Sequence, residues 1–425
     1  MENTVGNNGR QILRRTILSQ NDVFRNHSAP AVMLYRPYPP DQMLDTVSHL
    51  GGLPALPVDM EWPRASDGTA FHFLACIDLS ELPENSELPA SGVLFFFARV
   101  DDEMLWSEDG DDPKDYSRVI YAPSPARTEC AAPDDLGSIE GGWSNFERHF
   151  HLPDEKRFAT YPRWPLLSKR IESWPDIEAL SETPEGEYER LERARVDEAA
   201  RAVAITVPTK ADRANWGDIR RKLVLPQDDD HPFPQLWVMI DRISRYMVTQ
   251  LSPENTDAAD RDAATSALAW VKKAAQHDLA DQVDAEIAAE FKDWMQGLWV
   301  TGQYSLSDAL YQGMQSSLQF VAQDPQAAAR FPKSYYKEMQ AEHMPVVFDS
   351  GGGAPEPRHH QMLGHPRSEQ EPPPIERDKV LLAQFFSDYG VEFMFCDVGV
   401  AEFWINATDL KHGRFDRAWA TTDGG

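Results

Sequence analysis

Apolar and polar residues alternate with two different periods along this protein, and the two periods predict two kinds of structure. In the N-terminal part, short apolar runs lie between turn residues, a pattern typical of β-strands. The predicted strands there are Ala31–Tyr35, Phe71–Asp78 and Val93–Val100. From residue 177 to residue 345 the apolar residues instead recur three or four positions apart, which predicts amphipathic helices.

The C-terminal part returns to the pattern of β-strands. Its predicted strands are Val380–Phe386, Val391–Cys396 and Val400–Asn406, joined by tight turns. Three consecutive short strands of this kind predict an antiparallel meander. A short helix is predicted at Thr408–Leu410, and Phe415–Thr421 is predicted to add a last strand.

One sequence pattern occurs near both ends of the protein. Each copy has a Gly-x-Pro turn or its equivalent, then a short apolar run, then a glycine followed by aromatic residues. The first copy is Gly51–Pro54, Phe73–Cys76 and Gly92–Phe97, and the second is Leu363–Pro366, Leu381–Gln384 and Gly390–Phe395. Such a repeat predicts two related β-units that pack together. We therefore predict an α+β fold with two related antiparallel β-units and a large helical insertion between them.

This prediction divides the sequence into four segments. A polar lead-in at 1–30 precedes the first β-rich unit at 31–176. The helical insertion follows at 177–345, and the second β-rich unit at 346–425 packs on the first. With 425 residues, the protein is long enough for such a division.

The net charge of the protein limits the classes of molecule that it is expected to bind. The formal net charge is −28 and the sequence pI is near 4.7, so the protein repels phosphate backbones and anionic lipids. Neither nucleic acid nor membrane is a predicted partner, whereas a basic protein would be attracted. The N-terminus lacks the pattern of a signal peptide, and no apolar stretch reaches the roughly 20 residues that cross a bilayer. We expect a soluble, cytoplasmic protein.

Several of these motifs resemble the YwqG-like family, bacterial proteins of unknown function. The resemblance rests on Gly51–Pro57, Glu61–Pro63 and Phe73–Leu79 in the first copy. In the second copy it rests on His360–Pro366 and Phe393–Gly399. It implies an α+β fold with antiparallel sheet and a duplication, and it implies no established activity.

Five residues are candidates for a groove that binds a peptide or a small polar ligand. They are Gln384 and Asp397 near the strand turns, His360 in the second motif copy, and the tryptophans Trp62 and Trp404. Aromatic surfaces of this kind often receive extended peptides. The alternative is structural: Asp397 closes a turn, Gln384 ties strands together, and the tryptophans cover the ends of the β-core.

Chemistry beyond binding finds little support in the sequence. Histidines cluster in pairs or threes but lack the fixed spacing of a metal motif, so no metal or other cofactor is predicted. These histidines are His149, His151, His359, His360 and His365. The three cysteines fit neither a disulfide framework nor a zinc site, and Cys76 and Cys396 are expected to pack in strands.

We therefore favour a non-enzymatic binding protein that engages a protein partner, in a role like that of an immunity protein or antitoxin. The alternative is a hydrolase or transferase with a carboxylate and a histidine in a cleft between the β-units.

Overall fold

The computed structural model describes most of the protein outside its N-terminal lead-in. The described residues are 28–41, 44–84, 87–100, 112–124, 128–139, 152, 158–173, 199–204, 232–251, 257–300, 305–339, 347–349, 356–367, 378–396 and 398–424. Most of the predicted lead-in at 1–30 and the candidate Asp397 lie outside these residues.

Strands and helices occupy the parts of the sequence that the two periodicities indicate. The strands are β1 (Ala29–Tyr35), β2 (His49–Leu50), β3 (His72–Asp78), β4 (Val93–Ala98), β5 (Ser117–Ala122), β6 (Trp164–Pro165), β7 (Leu167–Ser173), β8 (Val347–Asp349), β9 (Glu356–Arg358), β10 (His360–Met362), β11 (Lys379–Phe386), β12 (Val400–Asn406) and β13 (Trp419–Asp423). The helices are α1 (Trp237–Leu251), α2 (Ala258–Ala274), α3 (Ala285–Val300), α4 (Ser305–Gln323), α5 (Pro325–Arg330), α6 (Lys333–Glu338) and α7 (Ala407–Lys411). The mixed composition confirms the predicted α+β class.

Two antiparallel sheets face each other across a shared core. The six-stranded sheet has the order β13-β12-β11-β10-β1-β7, and the five-stranded sheet has the order β5-β4-β3-β2-β6. Apolar side chains from both sheets form one buried cluster. In its middle, the ring of Phe96 lies edge-on to Phe385 and Phe403, with centroids 5.3 and 5.1 Å apart. Burial of these inner faces is the main driving force for sheet pairing.

The duplication is visible in the strand order. Strands β2 to β5 follow one another as neighbours in one sheet, and β10 to β13 do the same in the other. The first long strand of each unit has an irregular register at the same place, between Phe73 and Ala75 in β3 and between Leu381 and Ala383 in β11. β1 and β7, from the N-terminal part of the sequence, complete the sheet of the second unit. The segment boundaries at 30, 176 and 345 stay predictions.

The turn after β2 and the turn after β10 share one backbone conformation. Gly51 and Gly52 have φ angles of 57° and 70°, and Leu363 and Gly364 have 60° and 70°. In the first unit a Cβ on Gly51 would lie 2.1 Å from the carbonyl oxygen of Pro162, so that position requires glycine. Because the turns match, Gly51 and Leu363 occupy equivalent positions in the two units.

One predicted strand, Val391–Cys396, is wrong. Residues 389–391 form a 3₁₀ turn, and the left-handed residues Glu392, Cys396 and Val398 have φ angles of 62°, 51° and 59°. The aromatic residues there lie in a compact loop. The loop is closed by Asp388 and Phe393, whose backbone N–H and C=O groups form two hydrogen bonds with each other. The next strand begins only at Val400.

The helical part has its own core and packs tightly at one point. α1 contacts α2 and α4, and their apolar faces form a second buried cluster. At Gly313 in α4, an added Cβ would lie 2.5 Å from Cγ1 of Ile243 and 2.7 Å from its Cα and backbone nitrogen. α4 also contacts the β-core, where Gln319 Nε2 donates to the backbone carbonyl oxygen of Tyr389 at 2.8 Å.

Gly313→Ala is expected to lower the free energy of unfolding by about 1–3 kcal/mol, because backbone must move to admit the methyl group. The matched control is Gly297→Ala, an exposed position in α3 with nothing within 4 Å of the added Cβ. Alanine favours a helix over glycine, so the control should gain up to about 1 kcal/mol. Thermal and denaturant unfolding measure both. Equal effects of the two substitutions would contradict the close approach of α1 and α4.

Candidate binding site

A row of polar side chains crosses the six-stranded sheet on the face turned away from the shared core. Gln361 in β10 lies opposite Gln384 in β11, and Gln384 lies opposite Glu402 in β12. Glu402 in turn lies opposite Thr421 in β13. Directly opposed residues share one face of a sheet, and the neighbours of Glu402 along β12 belong to the shared core. We call these four residues the polar row.

Two members of the polar row bind backbone groups. Arg367 N–H donates to Gln384 Oε1 at 3.1 Å, and Gln384 Nε2 donates to the carbonyl oxygen of Arg367 at 2.5 Å. Gln361 Nε2 donates to the carbonyl oxygens of Leu363 and His365 at 2.7 and 2.9 Å. The two amides therefore hold the turn and loop at 363–367 through its backbone. Contacts of this kind do not depend on the side chains of the bound segment.

Glu402 is the next member of the row and lies in an unusual environment. It is 4% exposed, and burial together with the negative charge of Asp423 raises its pKa to about 8. The side chains of Trp404 and Thr421 lie beside this carboxyl group and offset part of the rise in its pKa. Its Oε1 is buried and has no hydrogen-bond partner among the described residues. A protonated carboxylic acid carries one donor and one acceptor, as a side-chain amide does.

The first β-unit has different chemistry at the equivalent positions. There His49, Cys76, Phe95 and Ile120 lie opposite one another across β2, β3, β4 and β5. Cys76 and Phe95 belong to an apolar cluster on the outer face of that sheet, and Phe95 is equivalent to Glu402. The first unit therefore has an apolar residue at the position where the second unit has a buried acid.

Between the two sheets lies a buried ion cluster, formed by Arg36, Asp388 and His360. Arg36 binds Asp388 at both carboxylate oxygens, with Nε donating to Oδ2 at 2.8 Å and Nη2 donating to Oδ1 at 2.9 Å. Its guanidinium also lies over the ring of Trp164, 4.6 Å from the centroid. His360 Nδ1 accepts from the N–H of Phe386 at 3.2 Å, so Nε2 carries the ring proton and donates to Asp388 Oδ2 at 3.2 Å.

The electrostatics of this cluster favour a structural role. Burial alone would raise the pKa of Asp388, but Arg36 and His360 hold it well below its usual range. Asp388 also accepts from the N–H of Gly390 at 2.8 Å. A general acid or base must be able to exchange a proton with a substrate, and both ring nitrogens of His360 are already engaged within the protein. The ion cluster therefore fastens β10, the loop after β11 and the residue that follows β1 to one another.

The structure places the sequence-predicted residues in three different surroundings. Gln384 and Trp404 lie on the outer face of the six-stranded sheet, His360 lies between the sheets, and Trp62 packs on the outer face of the five-stranded sheet. Asp397 lies outside the described residues. Of the four that are described, only Gln384 and Trp404 come to the same face.

Sequence reasoning missed several residues of these sites, and Glu402 and Arg36 show why. Glu402 gives a usable signal, because it is a carboxylate in the middle of an apolar predicted strand, two positions before Trp404. Arg36 gives none, since its partner Asp388 is 352 residues away in the sequence.

Among the described residues, neither a reactive cysteine nor a metal site is found. Cys76 Sγ donates to the carbonyl oxygen of Val47 at 3.1 Å, and burial raises the pKa of this thiol to about 12, so it is not a reactive thiolate. Within the described ranges, no three His, Cys, Asp or Glu side chains are grouped to hold a metal ion. His149 and His151 lie outside those ranges. No described helix is long and apolar enough to cross a membrane.

Comparison with known proteins gives a family but no function. No curated protein sequence matches this one. One family model, described as a domain of unknown function (DUF1963), matches residues 48–222 and again residues 242–424. Each match contains one copy of the repeated strands, in agreement with the duplication seen in the fold. Because the matches cover most of its length, the protein belongs to the DUF1963 family.

Proposed function

We propose that this is a non-enzymatic binding protein whose polar row receives an extended segment of a protein partner. The observation that carries the proposal is that Gln361 and Gln384 already bind backbone groups of the loop at 363–367. The same row continues to Glu402 and the half-exposed Trp404, where a described partner for Glu402 Oε1 is lacking. The equivalent row of the first unit is largely apolar, which supports a role for the polar row beyond folding.

The net charge of −28 favours a basic partner. An acidic protein that inhibits a basic toxin would use the same complementarity of charge. The proposal includes an immunity or antitoxin-like role in the cytoplasm. It also includes membership of the YwqG-like bacterial proteins, which the repeated motifs support.

The alternative, a hydrolase or transferase, has one observation in its favour. A carboxylate and a histidine, Asp388 and His360, do lie between the two β-units. Both are at most 5% exposed, and their hydrogen-bonding atoms are engaged with Arg36 and with backbone groups. A substrate would have to break the ion cluster to reach them, so binding is the better supported function.

Site-specific cross-linking tests the proposal. A photoreactive benzoylphenylalanine in place of Trp404 should form a covalent adduct with a protein of the source cells on irradiation. High salt should lower the yield of this adduct, because it screens the attraction between the two proteins. The matched control carries the same group in place of Trp62, on the outer face of the other sheet, and should form no such adduct. Melting curves establish that both variants are folded. An adduct at both positions, or at neither, would count against the polar row as the binding surface.

A further inference from the structure

The geometry points to Glu402 as the residue that binds a backbone peptide group of the partner, as Gln384 binds that of Arg367. This inference rests on the proposed function and adds the chemical class of the ligand. The ligand is an extended, basic peptide segment that offers at least one unmodified backbone N–H and C=O to β12.

The first support is the position of Glu402 in the row. Gln384 and Glu402 are directly opposed on neighbouring strands, so a segment that crosses the face can contact both. Gln384 demonstrates the contact within the protein itself, because its amide binds both the N–H and the C=O of Arg367. A protonated Glu402 has the same pair of functions, with Oε1 as acceptor and the acid O–H as donor.

The second support is the unsatisfied oxygen. Glu402 is 4% exposed, and its Oε1 lacks a partner among the described residues. Leaving a buried polar atom without a hydrogen bond destabilises a protein, and a peptide N–H from a partner would remove that destabilisation. The equivalent Phe95 in the first unit carries no polar side-chain atom and has no such defect.

Access to the acid involves groups on the same face. The side chains of Trp404 and Thr421 lie beside Glu402, and both are half-exposed. A partner's peptide group can therefore replace one of these side chains without disturbing the shared core. Trp404 Nε1 donates to the hydroxyl of Thr421 at 3.1 Å, so this N–H is satisfied without Glu402.

Protonation decides whether the acid can make both contacts. The described groups that face Glu402 are Gln384 on β11, Thr421 and Asp423 on β13, and Trp404 on its own strand. None of them is cationic, and Asp423 disfavours a second negative charge, so the acid stays protonated up to a pKa of about 8. Above that pH the carboxylate has no O–H to donate to a peptide C=O. Binding should therefore weaken as the pH rises through this value.

The probe is a fluorescent peptide of alternating lysine and valine, about twelve residues long, which is basic and favours an extended conformation. Its control has the same sequence with every backbone nitrogen methylated, which keeps the charge and removes all backbone N–H donors. Anisotropy titrations with the full-length protein are made near pH 6 and near pH 9, roughly two units below and one unit above the expected transition. The variants are Glu402→Gln, which keeps a donor and an acceptor, and Glu402→Met, which keeps neither.

We expect the unmethylated peptide to bind the native protein about tenfold more tightly near pH 6 than near pH 9, because only about a tenth of Glu402 is protonated one pH unit above its pKa. Glu402→Gln should bind equally at both pH values, and Glu402→Met should bind weakly at both. If the peptide binds in an N–H-dependent way but Glu402→Met binds as the native protein does, the role of Glu402 is overturned while the proposed function stands. If the two peptides bind alike, or neither binds, both the inference and backbone binding by the polar row are overturned.

Discussion

Replacing Arg36 by methionine is expected to lower the free energy of unfolding by about 3–5 kcal/mol, because it leaves the buried Asp388 without its counter-charge. Arg36 is completely buried, and Asp388 is 5% exposed, so water cannot take over the solvation of the carboxylate. The substitution also removes the contact between the guanidinium and Trp164. Denaturant unfolding, followed by circular dichroism, measures the change.

Two further variants establish that the lost charge pairing is the cause. Combining Arg36→Met with Asp388→Asn removes both charges and keeps an acceptor for the N–H of Gly390, so the double variant should be more stable than Arg36→Met alone. The exposed pair of Arg64 and Asp135 has a similar two-bond geometry, at 2.8 Å for each bond. Because both side chains are solvated, Arg64→Met should change stability little. Comparable losses for Arg36→Met and Arg64→Met would show that burial of the ion cluster has no energetic consequence.

The ion cluster also determines how the stability of the folded protein changes in acid. The folded-state pKa of Asp388 is depressed, so its stabilising effect is complete above the ordinary pKa of an aspartate, about 3.9. That effect is lost as the pH falls below this value toward the folded-state pKa, because the unfolded state then binds the proton more tightly. The native protein should therefore lose stability in acid more steeply than the Arg36→Met, Asp388→Asn double variant.

Much of the fold follows from local signals in the sequence. The period-two and helical patterns predict most strands and helices, since burial of one face imposes those periods on any sequence. The duplication is equally readable, because the same turn recurs after β2 and after β10. Val391–Cys396 shows the limit: its aromatic residues are as apolar as a strand requires, but the backbone of Asp388 closes a loop around them.

The sites are less readable, for two physical reasons. The ion cluster joins Arg36 to Asp388 across 352 residues, a contact that depends on how the two sheets pack. The polar row depends on register: Gln361, Gln384 and Glu402 are neighbours only because three strands pair in one alignment, and a shift of one residue would separate them. Trp62 is of a residue type that is common at binding surfaces, but it packs on the other sheet.

Glu402→Gln is expected to make the protein less sensitive to alkaline pH. In the unfolded state Glu402 ionises near its ordinary value of 4.5, whereas in the folded state its pKa is about 8. Between these values the folded state holds one proton more than the unfolded state, so the native stability falls as the pH rises. The loss is about 1.4 kcal/mol for each pH unit in this interval, which amounts to a few kcal/mol before it levels off above the folded-state pKa.

Glutamine has nearly the same shape as glutamate and carries no charge at any of these pH values. The variant should match the native protein closely near pH 5 and exceed it in stability near pH 9, which lie roughly at the two ends of the titration interval. Unfolding curves for both proteins across this range give the difference, in which the titrations of all other groups largely cancel. Glu402→Met, also neutral, should follow the pH dependence of the glutamine variant at a different absolute stability. That separates the missing charge from the altered hydrogen bonds: if stability curves of the native protein and both variants run parallel from acid to alkaline pH, then Glu402 is ionised in the folded state, and it cannot act as the donor that binding of a peptide C=O requires.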